Sequence, residues 1–434
     1  MLSANDRWLR LFQRSAVGKR DCAPPPVRRT ALGTSVTGAT KMILRTILFR
    51  LHWALGLTAG LVLALMGVTG ALMSYEEAIT DLLNADRAVV AVRERPVLGP
   101  QALVAGLEAA CPPLKVNALT FAGEPGRAVR ARFVYDAKTG ARPPSVYLDP
   151  YDGVQLGEAR GETTFATIRE LHRWLLIPGE GKGWGRQITG ACALALLVFI
   201  ATGLYLRWPK IHRWRIWLKP NLARPGRARW WSLHTIVGTW MLPVYLVIAL
   251  SGLWWSYDWY RTGATWLLTG RAPEAKAGRV LGRKGPDGQP ALDAAWTAFR
   301  QGEGRAAALA ILTLPGPDAT AIRIRWLARD ADHPKARNEI TFDPATGAVL
   351  GSKRYDDKPL GQRLADNMLE VHRGRFFGDV FALIFALAAL AMPLFAATGI
   401  TLYVLRRRAE RRHAPSPTRA GGAGLPDDWA RPRS

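Results

Sequence analysis

Four stretches of this chain run without an acidic residue, lysine or arginine for long enough to cross a bilayer: 51–75, 187–206, 230–257 and 380–405. A spanning helix needs about 20 predominantly apolar residues, and each stretch reaches that. Four such runs make a soluble core helix a poor account of any one of them. The expected class is therefore membrane α-helical. A mean hydropathy of −0.01 hides this, because apolar blocks alternate with polar ones. Seventeen tryptophans fit the same reading, since membrane interfaces collect them.

The net charge of +25 invites a nucleic-acid partner until it is located along the chain. Residues 1–50, 207–232 and 406–434 together carry 26 basic residues against five acids, and the remainder is close to balanced. Basic loops mark the cytoplasmic side, so topology explains the charge and no nucleic acid is needed. This predicts a disordered basic cytoplasmic extension (1–45), a first span (46–75) and an outer domain (76–165). An approach helix with the second span (166–207) and a basic cytoplasmic loop (208–229) follow. A third span (230–257), a second outer domain (258–367), an approach segment with the fourth span (368–405) and a basic cytoplasmic tail (406–434) complete the chain. Met42 opens a segment that reads as a natural start. The apolar run after it is too long for a signal-peptide core and reads as an uncleaved helix.

An internal repeat carries most of the information. Leu51-His52 with Gly56 matches Leu233-His234 with Gly238. Thr69-Gly70 matches Ser251-Gly252, and Ser74-Tyr75-Glu76 matches Ser256-Tyr257-Asp258, all at an offset of 182. In the outer segments, Asp149-Pro150 with Gly153 parallels Asp343-Pro344 with Gly347. Each reads as a turn between strands. Alternating runs, 128–134 and 321–326, precede these turns, and helices are expected near 99–110 and 290–302. Glu170-Leu171-His172-Arg173 matches Glu370-Val371-His372-Arg373, and the helices that follow carry Thr202-Gly203 and Thr398-Gly399. The expected architecture is a tandem duplication: helix, small α+β domain with an antiparallel sheet, helix. Its halves would be related by a twofold axis along the membrane normal.

Four of the seven histidines are the repeated ones. His52 and His234 fall near the basic ends of their helices, and His172 and His372 near the opposite boundary. The symmetry faces them in two pairs. Two axial histidines from different helices suit a six-coordinate b-type haem. No CxxCH is present, so covalent attachment is excluded, and the three scattered cysteines form no CxxC pair. No third ligand repeats with the pairs, as a zinc site would require. Gly56 and Gly238 would leave room for a flat macrocycle or, equally, for close helix packing. A plain hydrogen-bonded interfacial histidine stays open as the simpler role. His212, His333 and His413 receive no chemical assignment.

These motifs together resemble the PepSY-associated transmembrane-helix family over about residues 45–407. That family includes iron-regulated inner-membrane proteins, some of which reduce ferric siderophores. The resemblance implies four transmembrane helices with two periplasmic α+β PepSY-like domains, in a multi-pass protein of the bacterial inner membrane. It implies two haem b groups, one on His52 and His234 and one on His172 and His372, passing electrons from the cytoplasm to a periplasmic acceptor such as a ferric siderophore. The activity implied is that of a transmembrane ferric-chelate reductase. Arg173, Arg186 and Arg373 would neutralise propionates, although interfacial snorkelling is the simpler role for them. Trp174, Trp184, Arg375 and Phe376 would be available to a docking chelate, although interfacial anchoring is the simpler role for them. No GxGxxG follows a strand, so the cytoplasmic electron donor would be a separate reductase. A haem-free envelope regulator, or a peptidase-inhibitor-like membrane protein, is the alternative. A transporter has less support, because the spans carry few charges.

Overall fold

The computed structural model describes residues 33–134, 143–208, 214–272, 290–315 and 321–412. In chain order the elements are α1 (Gly33–Ser74), α2 (Glu76–Leu83), α3 (Ala85–Ala88), α4 (Pro100–Ala110), β1 (Val116–Ala122), β2 (Val129–Phe133), β3 (Val146–Leu148) and β4 (Gln155–Glu158). After these come α5 (Glu162–Trp174), α6 (Trp184–Arg207), α7 (Trp214–Leu218), α8 (Arg227–Ser256), α9 (Asp258–Thr269) and α10 (Leu292–Gln301). The chain closes with β5 (Ala307–Thr313), β6 (Ile322–Ala328), β7 (Arg337–Phe342), β8 (Val349–Lys353), α11 (Leu360–Asp366), α12 (Met368–His372) and α13 (Asp379–Arg412).

Four of these helices are long and apolar enough to cross a bilayer: Thr40–Ser74, Trp184–Arg207, Arg227–Ser256 and Asp379–Arg412. The chain is a multi-pass membrane protein, and these helices are where it meets lipid. Two boundaries differ from the sequence expectation. α1 already begins at Gly33, so 33–45 is helix and not part of a disordered extension. α13 continues to Arg412, into the segment expected as tail. Both extensions follow from cooperativity: once a helix is nucleated, each further residue adds a hydrogen bond at little cost, and neither flank holds a proline to stop it. The chain divides into two units, Met1–Ile47 and Leu48–Ser434. In the first, the described side chains from Thr40 to Ile47 are exposed. All that follows concerns the second.

The membrane helices close around a core that includes Leu63, Cys192, Leu196, Val244, Ala249, Phe385, Ala388 and Met392. Gly67 allows α1 and α13 to touch, since a Cβ there would collide with the Ala389 carbonyl and the Met392 side chain. The Tyr245 hydroxyl donates to the Ala388 carbonyl at 2.7 Å, tying α8 to α13.

The polar segments build an antiparallel sheet. The two strand sets expected separately are joined edge to edge in one eight-stranded sheet, ordered β4-β3-β2-β1-β5-β6-β7-β8. β1 pairs β5 antiparallel, from Ala118↔Thr313 to Ala122↔Leu309. Joining leaves two outer edges where separate sheets would leave four, and exposed edges are a liability. One sheet face is apolar and covered by α4 and α10: Leu103, Leu107, Leu119, Ala131 and Phe133 on one side, Leu292, Phe299, Ile322, Ile324 and Phe342 on the other. Pro100 at the start of α4 is preset for a first helical turn.

The two Asp-Pro turns fold alike. Asp149 N–H donates to the Val154 carbonyl and Gly153 N–H to the Asp149 carbonyl; Asp343, Ala348 and Gly347 repeat both bonds. Gly153 and Gly347 have φ of 73° and 71°, the left-handed region that favours glycine. A salt-bridged latch fastens the sheet to the bundle. Glu77 of α2 receives Lys335 Nζ at 2.8 Å and Arg375 at 2.9 Å, and Arg375 also donates to the Ser74 carbonyl at 2.6 Å.

Candidate functional site: two seated histidine pairs

The four repeated histidines sit in four seats of one design. His52 Nδ1 on α1 lies 2.8 Å from Thr202 Oγ1 on α6. His234 Nδ1 on α8 lies 2.7 Å from Thr398 Oγ1 on α13. His172 Nδ1 on α5 lies 2.9 Å from Thr69 Oγ1 on α1. His372 Nδ1 on α12 lies 2.8 Å from Ser251 Oγ on α8. In every case the hydroxyl residue precedes a glycine. A Cβ on Gly203, Gly399, Gly70 or Gly252 would stand 3.6, 3.9, 3.1 or 3.4 Å from Cε1 of the seated ring. The hydroxyl holds the ring, and the missing side chain admits it.

The hydroxyl also sets the tautomer. Each hydroxyl has one hydrogen, and that hydrogen is spent within its own helix. Thr202 donates to the Val198 carbonyl at 2.6 Å, Thr398 to Leu394 at 2.7 Å, Thr69 to Leu65 at 2.8 Å and Ser251 to Val247 at 2.6 Å. The hydroxyl oxygen then has only lone pairs to offer the ring. Nδ1 therefore carries a proton, and in the neutral ring Nε2 keeps a bare lone pair, the form in which imidazole ligates a metal.

Seats and pairs are organised differently. Each seat lies within one half of the chain: α1 with α6, α5 with α1, α8 with α13, α12 with α8. The pairing crosses between halves. The His52 and His234 rings are 6.3 Å apart between centroids and inclined at 76°. Two nitrogens each about 2 Å from a shared ion, with half a ring beyond each, place ring centres about 6 Å apart, so the observed spacing fits two axial ligands. Phe199 and Phe395 meet the two rings edge-on at 5.2 and 5.3 Å. Each is the first residue of a Phe-x-x-Thr-Gly motif (199–203 and 395–399), a repeat the sequence analysis passed over.

His172 and His372 lie outside the spans, at the end where the helices meet the sheet. Burial drives the pKa of His172 down to about 4. The same cause takes His372 to about 3, and His172 pushes it in the same direction. Both rings are neutral at neutral pH, as a nitrogen ligand must be. Trp255 meets His372 edge-on at 5.7 Å. The two approach helices differ in one respect: Glu170 is exposed, whereas Glu370 is buried with both carboxylate oxygens unpartnered. Burial raises the Glu370 pKa.

The spacing along the helices fixes the depth of each seat. α1 carries His52 and Thr69, and α8 carries His234 and Ser251. Seventeen residues of helix rise about 26 Å, close to the thickness of a bilayer's apolar core. Of the glycines expected to leave space, Gly56 faces nothing within 4 Å, and a Cβ on Gly238 would meet Phe395 at an ordinary 3.5 Å. Close helix contact belongs to Gly67 instead. Among the described residues no three His, Cys, Asp or Glu side chains gather as a metal cluster. The chemistry of the donor set, ring nitrogens that include one pair with centroids 6.3 Å apart, is of the kind that can hold a planar group needing two ligands.

Other expected residues are differently employed. Arg375 is committed to Glu77, and Phe376 packs against His333 at 5.4 Å. Trp174 lies under the Arg173 guanidinium at 4.7 Å, and Trp184 is exposed. Arg186 donates to the Gly181 carbonyl and approaches Asp258 at 3.7 Å. His333 is buried and bonded to the Tyr355 hydroxyl at 3.0 Å. His212, His413 and Cys22 lie outside the described residues.

A family profile described as the PepSY-associated TM region matches residues 49–406. No curated protein matches the chain.

Proposed function

Because the chain belongs to the PepSY-associated transmembrane family, we propose that it is a di-haem b protein of the bacterial inner membrane that passes electrons from a cytoplasmic donor to a periplasmic acceptor, a ferric chelate of the siderophore kind. One observation carries the reading: four histidines, each with Nδ1 held by a hydroxyl, two of them with rings 6.3 Å apart inside the spans and two on helices just outside them. His52 with His234 and His172 with His372 would hold the two groups. Haem, when bound, supplies reversible one-electron chemistry on iron.

The protein's own residues do the rest. Thr202, Thr398, Thr69 and Ser251 fix ring orientation and keep the proton on Nδ1. Phe199 and Phe395 close the deeper pair against water and lipid. The basic loop 208–229 and both termini would lie in the cytoplasm, leaving the sheet in the periplasm. The sheet itself reads as two PepSY-like domains, one from each copy of a duplicated unit, fused along β1 and β5. The donor is a separate reductase, for no nucleotide-binding fingerprint is visible in the chain.

The test is stopped-flow reoxidation. Dithionite-reduced protein in detergent is mixed anaerobically with ferric chelates and, separately, with a quinone. Rapid reoxidation by ferric chelates is the expected result. Reoxidation by the quinone alone would replace the acceptor while leaving the ligands in place.

A further inference from the structure

The sheet face opposite α4 and α10 is lined with arginine. Directly paired residues of an antiparallel sheet point to the same side. The pairs Thr120↔Arg130 and Ala118↔Arg132, Thr120↔Ile311 and Ala118↔Thr313, Ile311↔Arg325 and Thr313↔Arg323, and Leu327↔Arg337 therefore put five arginines on one face. This face looks toward the helices that carry His172 and His372. Between them lies a cavity of about 310 Å³, whose charged walls are Arg130, Arg169, Lys335 and Arg373 against Glu76, Glu77 and Glu162; of the five sheet arginines Arg130 lines it, and the others extend the face beyond it.

Positive charge exceeds negative in this space. Glu76 is taken by Arg169 at 2.7 Å and Glu77 by Lys335 and Arg375. Arg323 stands 3.8 Å from Glu339 and Arg130 3.9 Å from Glu162, both too long for hydrogen bonds. Among the described residues the side chains of Arg325, Arg337 and Arg373 have no ion pair or hydrogen bond. Nε of both Arg325 and Arg337 is buried without a partner. Burial pushes the Arg337 pKa down and Arg325 beside it pushes the same way, while Glu77 and Glu370 act against them. Carboxylates stand near these groups, Glu339 across from Arg325 and Glu77 and Glu370 around Arg337 and Arg373, but a guanidinium nitrogen buried without a hydrogen bond is costly, and the planar fork of arginine matches a carboxylate.

We propose that this arginine face and its cavity bind a small anionic ferric chelate whose outer oxygens are carboxylates, of the ferric citrate kind. The proposal rests on the reading that a ferric chelate is the acceptor, and it narrows that class to polycarboxylate anions. The volume sets the size: about 300 Å³ lies at the small end of ligand pockets. The charge sets the sign, because the cavity wall holds four cations against three carboxylates and opens along a face that carries four more arginines.

The probe is gallium(III) citrate, a redox-inert stand-in for the ferric complex, titrated into the full chain in detergent by calorimetry. Wild type should bind it, more weakly as salt rises. Arg325→Gln should weaken binding tenfold or more. Arg325→Lys, which keeps the charge and loses the fork, should fall between the two. Arg130→Gln, across the join, should also weaken binding and guards against a folding defect at position 325. No binding by wild type, affinity unchanged in both glutamine variants, or tighter binding of a cationic gallium trihydroxamate would each overturn the proposal. Gallium binding needs no electron transfer, so the two readings can fail separately. Tight gallium citrate binding with no reoxidation by any ferric chelate would sink the proposed function and leave this site standing.

Discussion

His52 and His234 lie inside the membrane helices, flanked by the edges of Phe199 and Phe395. His172 and His372 lie on short helices outside the spans, beneath a sheet face of arginines and beside the buried carboxylate of Glu370. Yet all four rings are held by a hydroxyl on Nδ1 and admitted by the glycine after it. The seat is thus a local device, made from two adjacent residues of one helix and a histidine of another. It works at either depth. What differs is the company each pair keeps: apolar and closed in the span, charged and cavity-lined at the sheet. Under the proposed function, the same seat would serve one site that only relays electrons and one that delivers them.

The comparison can be broken most forcefully at the ligands. His52→Ala or His234→Ala should remove one haem per chain and leave the other, and His172→Ala or His372→Ala should do the converse. Haem-to-protein ratios read this directly. Loss of both groups from each single variant would mean that the pairs are not independent. The next largest effect is expected at the hydroxyls. Thr202→Val or Ser251→Ala deletes the acceptor for Nδ1–H and should weaken haem retention about 10–100-fold, as outer-shell changes at metal sites do. The measure is the rate of haem transfer to apomyoglobin.

The glycines sharpen the contrast between seats. A Cβ at Gly70 would come within 3.1 Å of His172, whereas one at Gly399 would stand 3.9 Å from His234. Gly70→Ala should therefore shift the absorbance of the sheet-side haem, and Gly399→Ala should leave the deeper one nearly unchanged. The smallest effect belongs to the latch. Burial would raise the Glu77 pKa, but Lys335 and Arg375 overcome it and hold the carboxyl at about 2. An unfolded chain protonates this group near the ordinary glutamate value of 4.5. The stabilisation is then present above about pH 4.5 and lost as pH falls toward 2. Glu77→Gln should lower the melting temperature at pH 6 by the equivalent of about 1 kcal/mol, since the pair is half-exposed. The gap between variant and wild type should shrink from pH 5 to pH 3.

Much of this was legible in the sequence. Charge-free runs gave the spans, alternation gave the strands, and the 182-residue offset picked out His52, His234, Thr69-Gly70 and Ser251-Gly252 together. What the hydroxyls hold was hidden. Thr202 meets a histidine 150 residues away, and helical periodicity says only which residues share a face of one helix. The join of β1 to β5 was hidden for the same reason, because an edge strand carries no mark of the edge it will meet. The arginine face lay in plain view as Arg130-x-Arg132 and Arg323-x-Arg325. Alternation alone cannot tell an exposed face from one that overlooks a cavity. The helical start at Gly33 is not legible, because the apolar periodicity there is weak and Gly38 is a poor helix former.

The central claim is that the four seated histidines hold two irons. Its most direct test is the pyridine haemochrome assay on the full chain, purified from haem-replete cells, with the low-temperature visible spectrum of the reduced protein alongside. The account predicts two b-type haems per chain, with the sharp α-band of six-coordinate low-spin iron. A colourless protein, or a high-spin spectrum that His52→Ala and His372→Ala leave unchanged, would contradict it.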